Sequence, residues 1–135
     1  MARSQRPQLP QRDPRTEVPL SEQAFHVLLA LVDGERHGYG IMQDIAERTS
    51  GTLKLGAGTL YGLLKRLLAA GIVAETDERP DPDLDDERRR YYCLTPFGAA
   101  VMAAETRRLE ELVQHARRNR ARIDAAARGL KPRPA

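Results

Sequence analysis

The 135-residue chain has no tryptophan, six aromatic residues in all and a single cysteine, Cys93. A lone cysteine excludes a disulfide within the chain and is typical of a protein in a reducing cytoplasm. No apolar run approaches the ~18 residues that cross a bilayer, and none near the N-terminus has the length of a signal-peptide core. We therefore expect a cytoplasmic protein with no membrane segment.

The residue types that carry catalysis or bind cofactors lack the spacing that such chemistry requires. No nucleophile has a base nearby, and no G-x-x-x-x-G-K phosphate loop occurs. The acidic run from Asp81 begins like a calcium loop, but Asp86 and Tyr92 stand where that loop needs a glycine and a glutamate. The three histidines and Cys93 have no familiar metal spacing. We expect no enzymatic activity, no cofactor and no metal.

Charge is distributed unevenly behind a formal net charge of only +3. Residues 96–135 contain nine basic and four acidic residues, whereas residues 80–90 contain three basic and five acidic residues. Basic segments are compatible with a polyanionic partner, although a solvated surface is the commoner meaning of any one charge run. Charge alone therefore does not identify the partner.

Composition divides the chain into four stretches, and its length suits one ordinary domain. Residues 1–19 are rich in proline, glutamine and arginine, which predicts a disordered basic arm. Residues 20–95 carry the periodic apolar patterns of a folded domain. Residues 96–123 predict one long helix, and the small, basic residues 124–135 predict a flexible tail.

Three helices are predicted inside the domain. The first follows Ser21, a plausible N-cap, and ends near Asp33 and Gly34, and the second spans residues 41–49. The third begins between residues 56 and 59 and ends by Gly71. Its leucines at positions 60, 63, 64 and 67 share one side, whereas the opposite side is thin and rich in glycine: Gly58, Tyr61, Gly62, Lys65 and Ala69.

Two strands are predicted after the third helix. They span residues 72–76 and 89–94, joined by an Asp- and Pro-rich turn over residues 79–87. A helix followed by such a hairpin predicts a winged helix, in which the helix enters a major groove about 12 Å wide and the hairpin rests on phosphates. The predicted fold is mainly α with a small β hairpin, a winged helix-turn-helix with a long C-terminal helix.

The candidate DNA contacts lie on the third helix and the returning strand. Tyr61 and Lys65 are one helical turn apart, which lets both reach base edges or phosphates; alternatively, the tyrosine ring covers the core edge and the lysine is solvated. Arg88, Arg89 and Arg90 alternate along a strand, so not all three can face a duplex. We expect at least one of them to contact phosphate.

Three further candidates lie near helix starts. Gly58 and Thr59 belong to the first turn of the third helix, where free N–H groups favour a phosphate, although ordinary turn chemistry explains them equally well. Tyr39 is placed to donate to a phosphate or to pack between the first two helices. His37, just before it, is more typical of a helix cap or a packed imidazole than of a ligand.

The long C-terminal helix carries an imperfect apolar stripe. Thr95 followed by Pro96 is a strong helix start. Glu105 and Asn119 interrupt the positions where a strict zipper needs apolar residues. The stripe predicts a dimer interface formed by Met102, Leu109, Leu112, Val113 and Ala116. Because aromatic residues are few, a small-molecule pocket beside this helix would be aliphatic, and the candidate lining is Phe25, Leu29, Met102 and Leu109.

Four short segments resemble the PadR family of bacterial transcriptional regulators. They are the His-Gly-Tyr-Gly-Ile run at residues 37–41, the Gly-Thr-Leu-Tyr run at residues 58–61, Gly71 with Ile72, and residues 90–98 with Arg-Tyr-Tyr, Leu-Thr and Gly98. In place of the Ser-Pro helix start of many members, this chain has Gly56 and Ala57. The resemblance implies a homodimer bound to an inverted repeat, usually as a repressor and often released by a small molecule. The alternative is a protein–protein adaptor that uses the winged helix without binding DNA.

Overall fold

The computed structural model describes residues 12–76 and 90–129. The elements are a 3-10 helix at Pro14–Glu17, α1 at Glu22–Leu29, β1 at Arg36–His37, α2 at Gly38–Arg48, α3 at Ala57–Ala69, β2 at Val73–Thr76, β3 at Tyr91–Leu94, α4 at Pro96–Arg118 and α5 at Arg120–Ala127. The chain is mainly helical with a small antiparallel sheet, which confirms the predicted fold class. No helix in the described stretches combines the length and apolar character that crossing a bilayer requires.

Polar caps start three of the helices. The Ser21 hydroxyl accepts a hydrogen bond from the Ala24 N–H at 3.0 Å, and the Nδ1 of His37 accepts one from the Gly40 N–H at 2.8 Å. The Thr95 hydroxyl accepts from the Gly98 N–H at 2.9 Å. Each bond satisfies a backbone donor that has no partner inside its helix. The predicted helix starts at Ser21 and Thr95, and the capping role of His37, are therefore confirmed.

The core is formed by the apolar stripes of the helices together with the sheet. All four leucines of the predicted α3 face are buried, as the 3.6-residue period requires. They pack in one cluster with side chains from α1, α2, β2 and α4, including Val27, Leu28, Ile41, Ile45, Val73 and Val101. Each such side chain contributes about 1.5–3 kcal/mol by leaving water. This cluster fixes the orientation of α3.

The sheet has three strands in the order β1-β3-β2. β2 and β3 pair antiparallel with Glu75 opposite Tyr92, and β1 pairs with β3 so that His37 lies opposite Tyr91. The prediction of a two-stranded hairpin was therefore incomplete, because β1 is only two residues long and carries no readable alternation. The predicted turn at residues 79–87 lies outside the described residues.

Two glycines of the sequence motifs serve close packing. A Cβ on Gly98 would collide with the carbonyl oxygen of Ile72, so only glycine lets the start of α4 pack against the connection between α3 and β2. Gly71 has a φ of +73°, a left-handed conformation that glycine adopts without strain. Gly71 thus turns the chain from α3 into β2, and Gly98 lets α4 lie against that turn.

Residues 12–19 differ from the disordered arm predicted over residues 1–19. Arg12 donates a hydrogen bond to the Ala70 carbonyl, and its guanidinium lies 4.8 Å from the ring centroid of Phe97. Val18 packs partly buried against the core. Composition alone did not predict the order of residues 12–19, because that order comes from contacts with residues near the end of α3 and the start of α4, which are distant in sequence.

Glu105 is a buried carboxylate that joins α4 to the residues before α1. Its side chain is 1% exposed, accepts the Leu20 N–H at 2.8 Å and pairs with Arg108 at 2.5 Å. The hydrogen bond from Arg108 holds the pKa of Glu105 below its usual value, against the opposing effect of burial. The residue that interrupts the apolar stripe therefore anchors the N-terminal segment.

The long C-terminal helix is broken, whereas one helix was predicted over residues 96–123. α4 ends at Arg118 and α5 begins at Arg120, with Asn119 between them donating from its amide to the His115 carbonyl at 2.9 Å. The first half of α4 buries Gly98, Val101 and Met102. Its distal half, residues 106–118, buries no side chain, and neither does α5.

Candidate nucleic-acid interface

The outward face of α3 is exposed and sparsely covered by side chains. Gly58, Thr59 and Lys65 are all exposed, and the space around a Cβ on Gly58 or Gly62 is empty to 4 Å. Gly56 caps the helix without a side-chain hydrogen bond. The first-turn N–H groups, with the positive end of the helix dipole, are therefore available to an anion.

Tyr61 is less exposed to solvent than its position on the outward side of α3 predicted. Its side chain is half-buried, and the hydroxyl lies so close to Gly38 that a Cβ there would collide with it. The prediction that Tyr61 stands apart from the core side was therefore wrong in part, because the start of α2 covers one flank of the ring. The tyrosine fixes the spacing of α2 and α3 as well as lining the outer surface.

A groove separates α3 from the wing, a name used here for β2, β3 and Arg90. This wing groove has a volume of about 330 Å³ and is lined by Tyr61, Leu64, Lys65, Leu68, Glu75, Arg90 and Tyr92. Three predicted DNA-contact residues, Tyr61, Lys65 and Arg90, thus meet at one surface. Arg88 and Arg89 lie outside the described residues.

Arg90 is partnered by a carboxylate inside the wing groove. Its Nε lies 3.5 Å from an Oε of Glu75. Residues 90 and 92 point to the same side of a strand, and Glu75 is the cross-strand neighbour of Tyr92, so all three belong to the face turned toward α3. Glu75 was not singled out from the sequence, because its proximity to Arg90 depends on the strand register.

Tyr39 lies apart from the wing groove. It is exposed at the first turn of α2, with its ring 6.5 Å from that of His37, and His37 in turn packs edge-on against Tyr91 at 5.5 Å. Of the two roles considered, packing between the first helices does not fit this exposure. The hydroxyl remains available to a partner that covers the start of α2.

The distal half of α4 forms a second surface. Leu112 and Val113 are 57% and 48% exposed, and Ala116 is also exposed. An opening of about 310 Å³ lies beside them, lined by Phe25, Thr106, Leu109, Glu110, Val113, Gln114 and Arg117. Phe25 and Leu109 were predicted to line such a pocket.

Two residues assigned to this surface from the sequence do not lie there. Met102 is 8% exposed and belongs to the core of the domain, so it has almost no surface to offer a partner helix or a ligand. Leu29 does not line the opening. The heptad spacing was wrong at Met102 because the first half of α4 is already covered by its own domain.

The arrangement of three helices, a small sheet and a projecting fourth helix is that of a winged helix-turn-helix fold with an added C-terminal helix. The model of the transcriptional regulator PadR-like family matches residues 27–104, which is more than half of the chain. The protein belongs to that family.

The chain is also similar in sequence to a known protein of unassigned function. The chain is 41% identical over 86 residues to an uncharacterized 37.1 kDa protein in transposon Tn4556 of Streptomyces fradiae, covering 64% of this chain and 22% of that protein. It therefore spans about a fifth of that relative's length.

Two solved structures show the same fold. A transcriptional regulator from Clostridium thermocellum aligns with a TM-score of 0.59 at 22% identity, covering 73% of this chain and 96% of that one. Bacillus subtilis PadR in complex with operator DNA aligns with a TM-score of 0.53 at 22% identity, covering 63% of this chain and 46% of that one. At these identities the likeness establishes the fold alone.

Proposed function

We propose that the protein is a DNA-binding transcriptional regulator that reads an operator with α3 and holds the backbone with the wing. The observation that carries this proposal is the convergence of Tyr61, Lys65 and Arg90 on the wing groove. A helix can enter a major groove about 12 Å wide, and a basic side chain such as Arg90 beside it can reach the phosphates that line the groove.

Each part of the surface would have a separate task. Lys65 points outward from the middle of α3 and would reach a base edge or a phosphate within the groove. The N–H groups around Gly58 and Thr59 would hold a phosphate at the helix start. Arg90 would contact the backbone beside it, and Tyr39 would donate to a phosphate from α2.

The regulator would act as a homodimer on an inverted repeat. α3 has 13 residues, and one short helix with a few basic contacts supplies too little affinity for a specific site. Leu112, Val113 and Ala116 are apolar or small residues on an exposed helix, which a second copy would cover, and Leu109 lies at the edge of the same surface. Two half-sites would then lie about 34–36 Å apart, or a multiple of that distance.

A small molecule would release this dimer from DNA, consistent with a repressor. The opening beside Phe25, Leu109 and Val113 lies between α1 and the distal half of α4. A ligand filling it would shift the angle at which α4 leaves the domain, and thereby the distance between the two α3 helices. Regulation of this kind requires only a difference in ligand affinity between the two arrangements.

The test is a footprint on DNA upstream of the protein's own gene or a neighbouring one, followed by titration at several salt concentrations. We expect protection of an inverted repeat and an affinity that falls steeply as salt rises, because phosphate contacts release counterions. A protein that protects no DNA, or whose binding to a partner survives high salt, would instead be the adaptor considered from the sequence.

A further inference from the structure

Glu75 is an acidic side chain on the surface that would face DNA. It lines the wing groove together with Lys65 and Arg90, and its side chain is 38% exposed beside the 57% exposed Arg90. The rest of the predicted contact surface is cationic or carries hydrogen-bond donors. A carboxylate in this position repels phosphate, so DNA binding alone does not account for it.

The position of the carboxylate determines what it does to Arg90. The Glu75 oxygen lies 3.5 Å from the Arg90 Nε, on the side of the sheet that faces α3. A phosphate entering the wing groove between Lys65 and Arg90 must therefore either take the guanidinium from Glu75 or bind with Arg90 still engaged.

We propose that Glu75 restrains the affinity for duplex DNA by holding Arg90 back from the phosphate backbone. The proposal rests on the DNA-binding function proposed above and adds a residue that opposes it. Because the restraint acts through backbone charge, it applies to operator and random DNA alike. Such a residue keeps the affinity of the dimer within the range in which an effector can still release it.

The expected size of the effect follows from the exposure of the pair. Exposed ion pairs contribute little, so freeing Arg90 should strengthen binding by about two- to fivefold for each half-site. A stronger phosphate contact by Arg90 should also steepen the dependence of log K on log salt, by at most ~0.9 per protomer. Both changes require the Arg90 guanidinium.

The experiment compares four variants with the unmodified protein on operator and random duplexes, by fluorescence anisotropy across a salt series. Glu75→Gln removes the charge and keeps the shape of the side chain. Arg90→Gln removes its partner, and the double variant combines the two. Glu111→Gln is the control, because it makes the same charge change at an exposed position on α4.

We expect Glu75→Gln to strengthen binding to both duplexes by the same factor, with a steeper salt slope, and we expect this gain to vanish in the Arg90→Gln background. Equal gains in Glu75→Gln and Glu111→Gln would overturn the proposal, since net charge would then explain them. Weaker operator binding with unchanged random binding would also overturn it, because Glu75 would then read a base. If the unmodified protein binds no duplex, the DNA-binding function fails; if it binds and the variants do not differ from it, only the role of Glu75 fails.

Discussion

The α3–wing surface and the distal half of α4 differ in how much of their structure a single protomer supplies. The first rests on a core of leucines and on a three-stranded sheet, which hold Tyr61, Lys65 and Arg90 around one groove. The second projects from the domain and exposes Leu112 and Val113. Under the proposed function, recognition would therefore be built within one chain, whereas the spacing of two recognition helices would come from contact with a second copy.

The largest effect is expected at the distal half of α4, whose exposed apolar side chains a second copy would cover. Leu112→Glu with Val113→Glu should separate the dimer while the domain stays folded, because both side chains are already exposed in one protomer. Operator affinity should fall about 10³-fold or more, to that of random DNA. Sedimentation and anisotropy would measure the two effects.

The control for this variant is Arg107→Glu, an exposed change on the opposite side of α4 that should remain dimeric. If the double glutamate variant also sediments as a dimer, the partner contacts lie elsewhere, for example on α1. A monomeric unmodified protein that still bound its operator tightly would contradict the separation of tasks between the two surfaces.

The next effect tests the α3–wing surface, which one chain supplies by itself. Lys65→Ala should weaken operator binding by about 1–3 kcal/mol if it contacts a base, and should alter random binding much less. Arg90→Ala should weaken both duplexes alike and reduce the salt slope by less than the ~0.9 per protomer of a full phosphate contact, because Glu75 already restrains the guanidinium. Anisotropy titrations on both duplexes would separate these patterns, and identical behaviour of the two variants would remove the distinction between base reading and backbone contact.

A third effect concerns Glu105, which connects α4 to the residues before α1. Glu105→Gln should lower the free energy of unfolding by about 1–3 kcal/mol at neutral pH, because it removes the charge that pairs with Arg108 at a buried site. The Arg108 hydrogen bond lowers the pKa of Glu105 in the folded state. Its stabilising contribution is therefore present above the pKa of the unfolded chain and is lost as pH falls through the folded value.

Urea unfolding at a series of pH values would measure this contribution. The difference between Glu105→Gln and the unmodified protein should shrink as the medium becomes acidic, whereas Glu110→Gln, at an exposed position, should differ little at any pH. A difference that persists unchanged in acid would show that packing around the side chain, rather than its charge, joins α4 to the N-terminal segment.

The sequence predicted the elements that depend on local pattern and missed those that depend on long-range contact. The leucine period of α3 and the cap at Thr95 were readable because each signal lies within one turn of helix. The order of residues 12–19 depends on Ala70 and Phe97, and the position of Glu75 depends on strand register. Neither can be read from spacing.

The candidate site shows the same limit. The sequence identified Lys65 and Arg90 correctly as residues of one surface, since helix and wing adjoin in the winged-helix arrangement. It placed Met102 at the dimer interface because heptad spacing cannot distinguish a helix covered by its own domain from one covered by a partner. Whether each residue contacts DNA stays a prediction, which the binding experiments test.

The smallest effect separates stability from recognition on α3. Gly62 lies inside the helix with no neighbour around its Cβ position, so the fold itself does not require glycine there. Gly62→Ala should stabilise the domain by about 0.5–1 kcal/mol, because alanine loses less backbone entropy in a helix. The added methyl group should nevertheless weaken operator binding if α3 lies close against the base edges. Thermal unfolding and anisotropy on the same sample would measure both, with Ala69→Gly as the reverse change near the end of the helix. A variant that is more stable and binds its operator as tightly as before would show that α3 does not approach DNA closely at Gly62.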